Sequence, residues 1–213
     1  ETTTGPWQAQ TLILATGAFP RKLKVPGEEG LIGKGVSYCA TCDGAFFRDK
    51  KVAVVGGGNS SVEEALFLTR FAAEVAIIHR RDELRADKII QEEALANPKI
   101  SFYYNYVVTQ VMGEDRVSGL LLKSTVDQGE KYLSIDGVFV YIGNRPNSQL
   151  VKGLVDLDER GFIITGEDLM TSLPGLFAAG DIRQKALRQV ITACADGATA
   201  ATAADLYLSR KGV

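Results

Sequence analysis

Cys39 and Cys42, separated by Ala40 and Thr41, are the residues of this chain best suited to chemistry. Two thiols at this spacing can close a small disulfide ring and exchange electrons as a pair, provided one of them ionises near neutral pH. Asp43 follows directly and is a reasonable donor and acceptor of the protons such a pair exchanges. The competing reading is a pair of buried structural thiols, since buried cysteine is common. Only three cysteines are present, which argues against a secreted disulfide framework. His79 is the only histidine and no second cysteine doublet exists, so a zinc site lacks its usual second ligand pair and no metal is expected. Cys194 stands alone in an Ala-rich stretch and reads as a packing residue.

A second constellation is Gly56-x-Gly58-x-x-Ser61, with Asn59 and Ser60 inside it. Lys51 to Val55 before it is a nearly continuous, β-branched run expected of a strand buried on both faces, and Ser60 to Phe71 after it has helical spacing. That strand–turn–helix context separates a dinucleotide fingerprint from a plain glycine turn. The first glycine makes the tight turn, the second lets the backbone approach a pyrophosphate, and a small third residue lets the helix lie close to the strand. Phosphates then sit on unpaired amides at the positive end of the helix. An enzyme selective for NAD places a carboxylate about 20 residues further on, at the end of the second strand. This chain has His79-Arg80-Arg81-Asp82-Glu83-Leu84-Arg85 there. Guanidinium groups bind a 2′-phosphate through paired, charge-assisted hydrogen bonds, so NADPH is the expected nucleotide. Arg81 and Arg85 would share one face if the turn were helical. A basic cluster is otherwise just a solvated surface. Two roles stand for His79: contact with the adenosine end of the nucleotide, or a cap on its strand. Ile142 and Gly143, closing a later strand, are counted with this site.

The elements that must position these residues follow from hydrophobic pattern. Trp7 to Phe19 is extended, ending in Ala15-Thr16-Gly17-Ala18, and Lys22 to Gly35 reads as a Gly- and Pro-rich linker. Glu74 to His79 is a second buried strand and Asp87 to Leu95 a second helix. Phe102 to Met112, Val117 to Thr125 and Lys131 to Ile135 read as an antiparallel meander. Val138 to Ile142 is one more buried strand, and residues 143–147 form a second linker. A short strand (Phe162 to Thr165), another at Gly175 to Ala179, and a small-residue helix from about Leu187 to Leu208 complete the chain. The expected fold is α/β: a doubly wound, Rossmann-like nucleotide-binding domain with an antiparallel β-meander, plus part of a second domain of the same type.

Composition narrows the partners. The 213 residues are 46% apolar and 23% charged, ordinary for a globular protein, and a net charge of -2 gives no reason to expect nucleic acid. No apolar run approaches the roughly 18 residues of a membrane span, so no membrane is expected and the location is expected to be cytoplasmic. The chain has no initial Met, and Glu1 to Pro6 runs straight into the strand-like Thr11 to Leu14, so it reads as part of a longer protein.

With these residues in hand, the chain resembles the low-molecular-weight, bacterial-type thioredoxin reductase family over essentially its whole length. Cys39-Ala-Thr-Cys-Asp-Gly44 resembles that family's redox motif, Gly56 to Ser61 its NADPH loop, and His79-Arg80-Arg81 with Arg85 its 2′-phosphate clamp. Phe177-Ala178-Ala179-Gly180-Asp181 resembles the second flavin-binding motif, where the Asp meets the ribityl-phosphate region of FAD. Arg188-Gln189-Val190 resembles the helix start that meets the isoalloxazine ring, and Ala15-Thr16-Gly17 the strand that re-enters the flavin domain. The family's N-terminal half of the flavin domain has no counterpart here.

The resemblance implies three segments: 1–25, the last strand of the first part of the FAD domain with a hinge; 26–143, the NADPH domain with the redox pair; and 144–213, a second hinge and the C-terminal part of the FAD domain. It implies electron flow from NADPH to FAD to the Cys39–Cys42 disulfide and on to thioredoxin. In that scheme Cys42 is nearer the flavin, Asp43 handles protons, and Cys39 attacks the thioredoxin disulfide. It also implies rotation of one domain against the other at linkers near 20–35 and 143–147, and a homodimer in the full-length form. Rival readings are a peroxiredoxin-reducing flavoenzyme, a disulfide oxidase, and a non-catalytic NADPH-binding module.

Overall fold

The protein is described by a computed structural model covering residues 5–212; Glu1–Thr4, part of the segment read as an internal start, lie outside the described residues, as does Val213. In chain order the first elements are β1 (Leu12–Leu14), β2 (Ala18–Pro20), β3 (Val36–Ser37), the single-turn helix α1 (Ala40–Asp43) and β4 (Lys51–Gly56). There follow α2 (Asn59–Leu68), β5 (Glu74–His79), α3 (Lys88–Ala96), β6 (Ile100–Tyr104), β7 (Tyr106–Gly113), β8 (Val117–Ser124) and β9 (Glu130–Ser134). The chain ends with β10 (Gly137–Tyr141), β11 (Asn144–Pro146), β12 (Leu176–Ala178) and α4 (Val190–Arg210). These elements form two compact units: Pro20–Gly143, and the residues up to Phe19 joined with those from Asn144 onward.

The Pro20–Gly143 unit is built on a five-stranded parallel sheet in the order β3-β10-β4-β5-β6. Its strands alternate between two apolar faces. Val52, Val54, Val75, Ile77 and Phe139 pack with Val62, Ala65 and Leu68 of α2 and Ala94 of α3. Ala53, Val55, Ala76, Ile78, Val138 and Val140 pack instead with Val108, Val111, Leu120 and Leu122 of the antiparallel β7-β8-β9 sheet. Helices therefore cover one face and the meander the other. Each fully buried Leu, Ile or Phe contributes about 1.5–3 kcal/mol, which is why this run of apolar strands cannot sit at a surface. Strands β4 to β6 step outward on one side of β4 while β10 lies on the other. The strand order thus switches direction between β4 and β10, and open α/β sheets leave a crevice beyond the carboxyl ends of the strands at such a switch.

Three expectations are corrected here. Phe102 to Met112 is not one strand. Asn105 takes a left-handed backbone (φ 59°), so β6 ends the parallel sheet and β7 begins the meander. Asn is among the few side chains that tolerate this conformation. Residues 22–35 are more than a linker: Leu23, Val25 and Leu31 pack into the core, Glu29–Leu31 forms a 3-10 turn, and buried Glu28 accepts hydrogen bonds from the amides of Leu23 and Lys24 and from the Tyr38 hydroxyl. Phe162 to Thr165 makes only isolated bridges through Ile163, with Leu157 and Arg183.

In the second unit β1 pairs with β12, and β2 with β11. Helix α4 buries a stripe of Asp196, Ala200 and Ala204 at four-residue spacing. Cys194 lies off that stripe and is exposed, so it is not the packing residue the Ala-rich context suggested. Asp196 is the charged member of the stripe. Its Oδ2 accepts from the Gly180 amide (2.9 Å), Arg183 Nε (2.8 Å) and Lys185 Nζ (2.8 Å), and its Oδ1 from Arg183 Nη2 (3.2 Å). Burial pushes this carboxyl up, but the hydrogen bonds from Arg183, Lys185 and the Gly180 amide outweigh burial and hold it at about 2.

Asp196→Asn is expected to lower the unfolding free energy at neutral pH by about 3–5 kcal/mol, because it leaves buried cations without a counter-charge. The folded carboxyl sits below its ordinary value of 3.8, so its stabilisation is full above that pH and fades as pH falls toward 2. Denaturant titrations of both proteins from pH 7 to pH 2 check this: the gap between them should narrow as pH falls from about 4 toward 2.

Candidate functional site

The crevice at the carboxyl ends of the parallel strands is a cavity of about 500 Å³ within the Pro20–Gly143 unit. That volume suits a small-molecule cofactor. Its wall brings together Gly56 and Gly57 from the end of β4, His79 and Arg80 from the end of β5, Arg85, and Tyr141 and Ile142 from the end of β10. Arg21, Leu23, Val55, Ile78 and Tyr106 to Val108 complete the lining. Of the residues expected at the nucleotide site, Gly56, His79, Arg80, Arg85 and Ile142 line the cavity. Gly58, Asn59, Ser60, Ser61, Arg81 and Gly143 stand outside its lining.

Five of these six outer residues have a local task. Gly58 caps α2. Ser61 is buried beneath the turn, and its Oγ donates to the Gly58 carbonyl (2.7 Å). A Cβ on Gly56 would lie 2.5 Å from the Tyr141 carbonyl oxygen and 2.7 Å from Ser61 Cβ, so the turn depends on glycine there and on a small residue at 61. Asn59 and Asp87 exchange hydrogen bonds (2.7 and 2.8 Å), tying the glycine turn to the start of α3. The Arg81 carbonyl accepts from the Asn105 amide (3.1 Å), and Gly143 accepts from the Arg21 amide (2.9 Å). Residues 80–87 are bends rather than a helix, which removes the basis for Arg81 and Arg85 sharing a helical face. Arg85 is instead brought to the cavity by its own amide, which donates to the Gly57 carbonyl (2.6 Å). Among the described residues none of the salt bridges involves Arg80, Arg81 or Arg85, and all three are exposed.

His79 is buried, with its ring against Gly57, so closely that a Cβ at position 57 would overlap Nδ1. Burial pushes its pKa down, and the neighbouring charges of Arg85 and Arg81 push the same way, which favours the neutral imidazole. Hydrogen bonds to the backbone of Gly56 and Glu83 oppose that lowering without cancelling it, and Nε2 is buried without a partner. The ring as a whole lines the cavity, and an imidazole with an unsatisfied nitrogen beside a crevice fits a nucleotide.

The redox motif occupies the same unit. Cys39 and Cys42 form a disulfide, and Cys39 caps α1, its Sγ accepting from the Cys42 amide (3.1 Å). Asp43 Oδ2 accepts from Ser37 Oγ (2.6 Å), and the Cys39 amide donates to the same hydroxyl (3.1 Å). The Ala40 amide, between the two cysteines, donates to the Tyr141 hydroxyl (2.6 Å). Burial raises the Tyr141 phenol's pKa, so it remains a neutral acceptor for that amide. Tyr141 thus touches the dithiol turn while lining the cavity. Ser37, Arg21 and Tyr141 escaped the sequence reading, and Gly57 entered it only as part of the glycine loop. Only Gly57, inside a run of three glycines, carried a visible signal.

In the other unit, Gly180 and Asp181 form a 3-10 turn fixed by Asp196, and Gln189 caps α4 immediately before exposed Val190. The Arg188 guanidinium lies 4.1 Å from the centroid of the Phe162 ring, and burial pushes its pKa down. Asp181 Oδ1 and Arg188 Nε are both buried without a partner. Thr16 and Gly17 are held by Asn147: Asn147 Nδ2 donates to the Thr16 carbonyl (2.7 Å), Thr16 Oγ1 to the Asn147 carbonyl (2.9 Å), and the Asn147 amide to the Gly17 carbonyl (3.0 Å). These two atoms, one an acceptor and one a donor, fit the donors and acceptors of a bound nucleotide. Among the described residues, no helix is long and apolar enough to cross a membrane.

A profile of the pyridine nucleotide-disulphide oxidoreductases matches residues 2–197. The thioredoxin reductase of Peptoclostridium litorale is 49% identical over 211 residues, covering 96% of this chain and 67% of that protein. The chain belongs to the pyridine nucleotide-disulphide oxidoreductase family, in its thioredoxin reductase branch. The thioredoxin reductases of Peptoclostridium acidaminophilum and Mycolicibacterium smegmatis are 51% and 52% identical, covering 95% and 96% of this chain. This family member spans 66% of the length of each. The crystal structure of the Streptococcus pyogenes MGAS5005 thioredoxin reductase matches with a TM-score of 0.88 at 50% identity, over 94% of this chain and 66% of that one.

Gly57→Ala tests the packing at the heart of this site. The added methyl must displace the His79 ring, and unfolding free energy should fall by about 1–3 kcal/mol in a denaturant titration with unchanged slope.

Proposed function

We propose that this chain supplies the nucleotide- and disulfide-carrying part of an NADPH-dependent thioredoxin reductase. The observation that carries the reading is a Cys39–Cys42 disulfide followed by Asp43, in the same compact unit as a cavity rimmed by unpaired arginines. The NADPH domain, expected at 26–143, would then be the Pro20–Gly143 unit, with the residues up to Phe19 and those from Asn144 onward as parts of the FAD domain.

In this reading the glycine turn at Gly56 to Ser61 admits the pyrophosphate, and Arg80, Arg81 and Arg85 hold the 2′-phosphate, where a carboxylate would repel it. His79, lining the same crevice, packs beside the nucleotide. Ile142 and Gly143 flank the cofactor at the end of β10. Thr16, Gly17, Gly180, Asp181, Arg188, Gln189 and Val190 would hold FAD, with Asp181 Oδ1 and Arg188 Nε finding partners there. Bound FAD would supply a two-electron relay between the nicotinamide and the disulfide. The chain's own residues do the rest: reduced Cys39 attacks the disulfide of thioredoxin, Cys42 resolves the mixed disulfide, and Asp43 moves the protons. The full-length protein is read as a cytoplasmic homodimer.

Cys39→Ser and Cys42→Ser, each placed in the full-length protein, are expected to abolish NADPH-dependent thioredoxin reduction while leaving NADPH binding intact. Turnover assays with thioredoxin, paired with nucleotide titration, check both halves. Turnover like the wild type in either variant would overturn the proposal.

A further inference from the structure

The geometry points to Ser37 as a positioning residue for Asp43, serving the carboxyl in both of its protonation states. This rests on the role just proposed for the dithiol and Asp43. Ser37 ends β3, is 5% exposed, and its hydroxyl meets three groups of the redox turn. Asp43 Oδ2 lies at 2.6 Å, the Cys39 amide nitrogen at 3.1 Å and the Cys39 carbonyl oxygen at 3.3 Å. A serine hydroxyl has one proton and two acceptor positions. With Asp43 ionised, the hydroxyl donates to Oδ2 and accepts from the Cys39 amide. With Asp43 protonated, the carboxyl donates to Ser37 Oγ, and the serine proton turns to the Cys39 carbonyl. The Cys39 amide bond is kept throughout. Neither state leaves this buried hydroxyl or the carboxyl oxygen facing it unsatisfied, so a proton can visit Asp43 without the cost of an orphaned group.

The step this serves is resolution of a mixed disulfide. Cys39 thiolate, its proton lost to water, attacks a disulfide R–S–S–R′. The Cys39–S–R bond forms, the bond to R′ breaks, and R′S⁻ takes a proton from water. Asp43 carboxylate then removes the Cys42 thiol proton. Cys42 attacks Cys39 Sγ, the Cys39–Cys42 bond forms, the bond to R breaks, and RS⁻ leaves with the proton that Asp43 returns. The dithiol is oxidised, the disulfide is reduced to RSH and R′SH, and Asp43 ends as it began. Ser37 accompanies the carboxyl through both transfers.

The test uses this chain with Cys194→Ser, which removes the exposed third thiol. The reduced protein is mixed with a chromogenic aromatic disulfide in stopped flow. The first release of aromatic thiol reports attack, and the second reports resolution. Asp43→Asn should slow the second release, Ser37→Ala should slow it by about tenfold and change its pH profile, and Ser37→Thr should restore it. Ser37→Ala added to Asp43→Asn should slow it no further. A second release unaffected by Ser37→Ala, or slowed equally in the Asp43→Asn background, would overturn the role of Ser37 and leave that of Asp43 standing. A second release unaffected by Asp43→Asn would overturn the proton role of Asp43 and this inference with it.

Discussion

Parallel strands cannot be joined by tight turns, and the rest of the Pro20–Gly143 unit depends on that constraint. Each strand must return by a crossover, so all the strands finish on the same edge and both faces are covered by whatever the crossovers carry. Here α2 and α3 cover one face and the meander β7-β8-β9 covers the other. Residues far apart in sequence are then delivered to one edge: Gly56 from β4, His79 from β5, Tyr141 from β10. No element of the site needs to be placed by a flexible loop alone. β10 and β4 stay paired to their ends, and the chain leaves them in different directions, so the crevice opens beyond their carboxyl ends and gathers the glycine turn, the imidazole and the guanidinium groups around one space.

The same sheet also fixes the redox turn. Ser37 and Tyr141 sit at the ends of neighbouring parallel strands, β3 and β10, and between them they hold Cys39, Ala40 and Asp43. A disulfide turn of this kind has little core of its own, because its helix has a single turn and buries only Ala40. Its geometry is therefore borrowed from the strands beside it. A dithiol that must meet partners gains exposure without losing position.

Much of this was legible in the sequence because the signals were local. Lys51 to Val55 and Glu74 to His79 are apolar runs whose length and β-branching suit buried strands, and the glycines between strand and helix have few other uses. The redox pair and Asp43 are adjacent in sequence. What escaped depends on contacts across the fold. Ser37 and Tyr141 matter because of what they touch, and neither type is unusual at its position. The break at Asn105 was hidden because apolar alternation continues through both β6 and β7, and only the left-handed backbone of one residue separates them. Arg85 was expected beside its companions through helical spacing; the cavity instead receives it through a backbone hydrogen bond to Gly57. Cys194 was misread because composition suggested a buried helix, whereas only the 196-200-204 stripe is buried.

The central claim is that the crevice takes NADPH and selects it by its 2′-phosphate. The most direct measurement is calorimetric titration of this chain with NADPH and with NADH at physiological salt. The account predicts that NADPH binds at least about tenfold more tightly, a difference of about 1.4 kcal/mol, with the preference shrinking as salt screens the exposed arginines. Equal affinity for the two nucleotides, or no binding of either, would contradict it.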